Sequence, residues 1–180
     1  DSWDFLFSKN LRGKIVLPKS PRIFLSILQR IKNRDLIQNT SNQGFIYDDK
    51  NSLDLLANSD ADIAITPFSL AQKYLKMDSR LSVIFPNDGV PLIWNFVMIK
   101  SSMNLEEFNN WIDLLLEPKV ANKLAKAGWY TPFQYSNMNI FSNNDMHPSK
   151  ECWDNSWSFS PLSPREKKEL EILGNNLLTP

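Results

Sequence analysis

Apolar and polar positions change period several times along this chain. Gly13-Lys14-Ile15-Val16-Leu17 carries an apolar triplet and predicts a short buried strand. Ser20-Pro21 follows, an N-cap before a proline suited to the first helical position. Ile23, Phe24, Ile27, Leu28 and Ile31 then recur at helical spacing, which predicts a helix to about Asn33. Polar residues from Asn33 to Gln43 read as a loop. Phe45-Ile46-Tyr47 reads as a strand and Leu53 to Ala57 as a short helix.

The alternation then repeats. Ala61 to Thr66 predicts a strand ending at Pro67, and Phe68 to Lys76 a helix. Leu81 to Phe85 is a strand candidate, Pro86-Asn87-Asp88-Gly89 a turn, and Leu92 to Ile99 a longer apolar strand. Strands alternating with helices point to an α/β fold with a largely parallel sheet. Asn104 caps an amphipathic helix whose expected buried stripe is Leu105, Phe108, Ile112 and Leu115, with Glu106 and Glu107 in its first turn. Glu117-Pro118 breaks it, and Lys119 to Ala127 forms a second helix closed by Gly128. Gln134 to Trp157 reads mostly as loop, and Ser163-Pro164 opens a last helix through Leu173. No internal repeat or coiled-coil heptad is present.

Composition narrows the function. Its 180 residues can bury one core or two small lobes. Lys plus Arg and Asp plus Glu are both 20, so no basic surplus calls for nucleic acid or an anionic membrane. Cys152 is the only cysteine and His147 the only histidine, which excludes an intrachain disulfide and multi-histidine zinc sites. His147 lies in a polar stretch and is expected to be a solvated loop residue. No apolar run approaches the roughly 20 residues that cross a bilayer. Asp1-Ser2-Trp3-Asp4 carries neither an initiator Met nor a leader, so the natural start is expected to precede it.

Catalytic signatures are missing. There is no G-x-S-x-G, no clustered glycine loop for phosphate, and the lone histidine has no motif around it. Asp48-Asp49 and Asp60/Asp62 read as turn and strand-edge residues. The expectation is therefore a non-enzyme without cofactor or metal. A pocket is easier to motivate, because two strands run into a polar residue and a proline-started helix. Ligands in open α/β sheets lie beyond strand carboxyl ends, against helix N-termini. Ser20, Thr66 and Ser69 are thus candidate pocket groups, although plain N-capping accounts equally well for each. Among six tryptophans, Trp111 is expected to be packed and Trp94 to face either core or cleft. Trp153 and Trp157 are expected to pin the polar segment around them.

The order of motifs resembles the spermidine/putrescine-binding family of solute-binding proteins. Trp3-Asp4-Phe5-Leu6-Phe7 with Arg12-Gly13-Lys14-Ile15-Val16-Leu17 is similar to its W-x-x-L-W and x-G-K-I segment. The helix carrying Arg22 follows, and Ala61 to Ile65 is similar to the strand before its second-lobe pocket residue. Phe85-Pro86-Asn87-Asp88-Gly89 resembles its W-P-x-E-G turn. Leu115 to Ala121, then Gly128-Trp129-Tyr130-Thr131-Pro132, resemble its L-L-x-P-x-V-A and G-Y-x-T-P. The resemblance runs from Trp3 to about Phe133.

It implies a two-lobed, type II periplasmic-binding fold with most of the first lobe absent from this chain. Residues 1–89 would form the second lobe, 90–133 the return segment of the first, and 134–180 would pack back on the second. The implied role is the solute-binding component of an ABC importer. Such a protein is a periplasmic or cell-envelope monomer that hands a small solute to permease membrane subunits. Ligand positions diverge. The family's acidic pair falls on Lys19 and Ser20, its second-lobe tryptophan on Thr66, and its W-x-D on Ile93-Trp94-Asn95. Lys19, Ser20, Thr66 and Asn95 are the implied polar set, joined by Ser69 from the helix start, with Phe68 and Trp94 as apolar wall. They favour a small polar or anionic solute over a dication. A degenerate sensor or scaffold is the alternative, and an enzyme on a similar bilobal fold is a third reading.

Overall fold

The computed structural model describes residues 2–37, 40–102, 104–130 and 147–178. Three short strands form a parallel sheet in the order β2-β1-β3, with β1 at Ile15–Leu17, β2 at Ile46–Tyr47 and β3 at Ile63–Ala64. Val16 pairs with Ile46 on one side and with Ala64 on the other. All three residues of β1 are buried, as a central strand covered on both faces requires. Helix α1 (Pro21–Leu28) crosses from β1 and buries Phe24, Ile27 and Leu28. Trp3, Leu6 and Phe7, from a 3-10 helix over Trp3–Phe7, complete that core with Ile15, Leu17 and Ile31. Phe24 meets Phe45 and Tyr47 edge-on at 5.5 and 6.0 Å.

The segment 33–43 is not a plain loop. It holds two single-turn helices, α2 (Arg34–Ile37) and α3 (Thr40–Gln43), which lack an apolar repeat that sequence could reveal. Helices α4 (Ser52–Ala57) and α5 (Phe68–Met77) flank β3. Residues 81–85 keep a strand's alternation, with Leu81, Val83 and Phe85 turned inward, but form no strand, because no ladder partner lies beside them among the described residues. The predicted strand from Leu92 to Ile99 shrinks to β4 (Pro91–Leu92) for the same reason. Its partner, β5 (Trp157–Ser158), is only two residues long. Beyond it the apolar residues are open to solvent, with Phe96 84% and Met98 92% exposed.

Helix α6 (Leu105–Leu116) begins where Asn104 accepts a hydrogen bond from the Glu106 N–H, but its stripe is not buried. Leu105 is exposed, and Trp111 stacks on Phe108 with much of its surface in solvent. Helix α7 (Pro118–Lys126) ends at Gly128, whose φ is +81°. Within the segment expected to be loop, residues 134–146 lie outside the described residues. The remainder contains α8 (Lys150–Asn155) and β5. Trp157 of β5 packs on the core beneath the Arg30 guanidinium, 4.6 Å from its ring centre. Helix α9 (Pro164–Leu178) runs past the predicted end. No helix among the described residues is long and apolar enough to cross a membrane.

The turn before β4 is held by three contacts from Trp3 and Lys32. The Trp3 indole N–H donates to the Gly89 carbonyl at 2.8 Å, and the Trp3 backbone N–H donates to Asp88. Lys32 pairs with Asp88 at 2.7 Å. Burial alone would raise the Asp88 carboxyl, but hydrogen bonds from Lys32, Ser2 and the Trp3 N–H hold it below the usual carboxylate range. A depressed native pKa favours the ionised form. Its stabilisation is therefore complete above the unfolded value, about pH 4, and is lost as pH falls through the native one. Urea unfolding midpoints should thus fall more steeply below about pH 4 in the wild type than in Asp88→Asn. Parallel pH profiles would show that Asp88 adds nothing to the acid sensitivity of the fold.

Candidate functional site

In the order β2-β1-β3, the chain leaves β1 for one neighbour and then crosses to the other. The first crevice between diverging connections lies beyond the carboxyl ends of β1 and β3, where open α/β sheets seat ligands. Ser20 follows β1 there, Asp49 follows β2, and Ile65-Thr66-Pro67 leads from β3 into α5. These residues line a cavity of about 1430 Å³. Phe68 and Ser69 of α5 line it too, as do Trp94 and Asn95 from the exposed segment after β4. Six of the seven residues singled out from sequence therefore border one space.

Lys19 does not. Its side chain is exposed outside the cavity lining, and its backbone N–H donates to Asp49 Oδ1 at 2.9 Å. Ser20 occupies the N-cap position of α1, yet its hydroxyl makes no capping hydrogen bond. At α5 the N-cap position is Pro67, which offers no side-chain acceptor, so the Phe68 and Ser69 N–H groups have no acceptor among the described residues. Trp94 is 48% exposed and is held by its indole N–H donating to Ser158 Oγ at 2.7 Å. That leaves much of its surface open. Asn95 is exposed.

Charged residues of the cavity lining are largely neutralised by ion pairs with residues outside it. Asp62 pairs with Lys14, Arg80 with Asp78, and Asp154 with Lys150. Hydrogen bonds from the Arg80 side chain hold Asp78 down at about 2. Asp49 is the lining acid without an ion pair among the described residues. Its place two residues after β2 was a signal available in the sequence, which instead read as a turn.

A second wall was not legible beforehand. Tyr130, His147 and Trp153 border the same cavity. The Tyr130 hydroxyl lies 2.9 Å from His147 Nδ1, and the Tyr130 ring meets Trp153 edge-on at 5.1 Å. His147 is thus a partly buried, partnered residue and not a solvated loop histidine. Burial lowers its pKa and pushes Tyr130 up to about 12. Gly128 brings this wall to α5. A Cβ built there would lie 2.8 Å from the Ser69 Cα and N, a separation only glycine permits.

A large hollow at the switch point of a parallel sheet, with uncapped helix ends and half-open aromatic rings, is the architecture of a small-molecule-binding α/β protein. The family described as bacterial extracellular solute-binding protein matches residues 1–151, and the chain belongs to it. Among solved structures, the chain is similar to a Listeria monocytogenes protein provisionally named a spermidine/putrescine ABC transporter. The TM-score is 0.65 with 21% identity, over 99% of this chain and 61% of that one. The shared fold is that of a periplasmic binding protein, and the chain spans less than two thirds of that neighbour's length. No curated protein sequence matches the chain.

Proposed function

We propose that the chain is the solute-binding part of an ABC-type importer. It holds a small polar solute in the cavity beyond β1 and β3 and passes it, unchanged, to permease subunits in the cell envelope. The observation that carries this reading is the convergence of Ser20, Thr66, Ser69 and Asn95 on one cavity walled by Phe68 and Trp94. We also propose that residues 1–89 are a second lobe, that 90–133 return to a first lobe, and that the C-terminal part packs back on the second. The solvent-open apolar run at 93–99 supports this, since an extended segment with Phe96 and Met98 bare is suited to a sheet supplied by another lobe. Contacts of α9 with α1 support the return of the C-terminal part.

A screen of small solutes by thermal shift and calorimetry tests the reading. Saturable binding of a solute recovered chemically unchanged is expected. Thr66→Val and Ser69→Ala should each weaken it about three- to tenfold, the worth of one neutral hydrogen bond. Conversion of the solute, or binding indifferent to both substitutions, would refute the site or the role. Spermidine and putrescine are expected to bind poorly. Lys19, Ser20 and Asn95 replace acids, and of the lining acids Asp62 and Asp154 are already ion-paired. Each missing charge-assisted bond should cost about 1.5–3 kcal/mol. Submicromolar spermidine affinity by calorimetry would overturn this expectation.

A further inference from the structure

Tyr130 and His147 stand 17 residues apart in sequence and come together on the cavity wall. We propose that His147, held in one tautomer by Tyr130, presents its Nε2–H as a hydrogen-bond donor to an acceptor oxygen of the bound solute. This assignment rests on the cavity being the solute site.

Proton positions decide the tautomer. A neutral imidazole has one donor and one acceptor nitrogen, and a phenol has one proton to give. Partial burial favours the neutral ring at His147, and Tyr130 stays protonated far above neutrality. If the Tyr130 O–H donates to Nδ1, the phenol proton and the Nδ1 lone pair are paired with each other and Nε2 carries the ring proton. If Nδ1–H donated to the phenol oxygen, the partly buried Tyr130 proton would have no acceptor among the described residues. Each arrangement leaves one proton unpaired, and stranding it on the more buried Tyr130 costs more than leaving the Nε2–H on the less buried ring at the cavity. Edge-on contacts with Trp153 at 5.1 Å and with His147 at 6.2 Å keep the phenol in place. Nε2 is left without a partner among the described residues, on a ring that borders the cavity.

A neutral N–H suits the oxygen of a carbonyl or a carboxylate, both good acceptors. Two probes that share an amine on a short polymethylene chain separate these, N-acetylputrescine with an amide carbonyl and 4-aminobutyrate with a carboxylate, against putrescine, which has no acceptor oxygen. In the full chain labelled with ¹⁵N-histidine, the single imidazole should show the Nε2-protonated pattern. Tyr130→Phe should relax it toward a tautomer mixture. At least one oxygen-bearing probe should move the Nε2 resonance, bind about three- to tenfold more weakly to His147→Phe, and recover in His147→Gln, which retains a donor. The probe that does so names the oxygen.

An Nδ1-protonated ring in the free protein would overturn the proposal. So would probe binding that is equal in wild type and His147→Phe, and so would no binding of either oxygen-bearing probe. The solute-site reading survives all three outcomes as long as the solute screen yields a ligand sensitive to Thr66 or Ser69.

Discussion

Replacing Gly89 with alanine is expected to cost about 2–4 kcal/mol of folding stability. Two effects add. Gly89 has φ +88°, where an L side chain is strained. The added Cβ would also fall 2.2 Å from the Asn155 carbonyl oxygen and 2.6 Å from the Ser156 nitrogen. Those are backbone atoms at the end of α8, so relief requires that the turn and α8 separate. Separation would strain the Asn155 side-chain bond to the Asn87 carbonyl and the Val90 N–H bond to Ser156 Oγ. Gly13→Ala is the internal control. Its φ is +72°, but a Cβ there meets nothing within 4 Å, so only the conformational cost of about 1 kcal/mol should appear. Equal urea midpoints for the two variants would show that the contact with Asn155 carries no weight.

Phe24→Ala should be the most damaging core truncation, at about 3–5 kcal/mol. Phe24 is among the largest side chains buried without exposure and touches both Phe45 and Tyr47. It joins α1 to the strand pair β1-β2, so its cavity would open under the central sheet. Small domains have only about 5–15 kcal/mol in total, so the variant should be partly unfolded at physiological temperature. Phe24→Leu, which keeps most of the volume, should lose far less. If urea unfolding finds alanine and leucine alike, the site relaxes and the core is not as packed as described.

The strands and helices legible in the sequence are those whose signals are local. Pro21, Asn104 and Pro118 mark helix starts, and the apolar triplet Ile15-Val16-Leu17 marks the central strand. Leu92 to Ile99 looked as much like a strand as β1 did. It stops at Leu92 because a strand is defined by its neighbour, and β5 offers only Trp157 and Ser158. Burial on α6 failed for a related reason, since amphipathic spacing names a face but not what covers it. Ser20 and Thr66 could be picked out because strand ends followed by proline-started helices are a sequence pattern. Lys19 could not be separated from Ser20 that way, because adjacent residues in extended chain point to opposite sides. His147 and Tyr130 meet only through tertiary structure, and neither has a neighbour in sequence that announces the other.

Gly128 touches α5 through backbone atoms alone. Among the described residues no hydrogen bond joins it to Ser69, and it has no side chain to bury apolar area. Such a contact gives almost no adhesion, yet it resists compression steeply. Under the proposed division of the chain it falls between 1–89 and 90–133, so it would act as a mechanical stop. It would fix how far the two parts approach without holding them together, leaving the strength of closure to whatever solute lies between them.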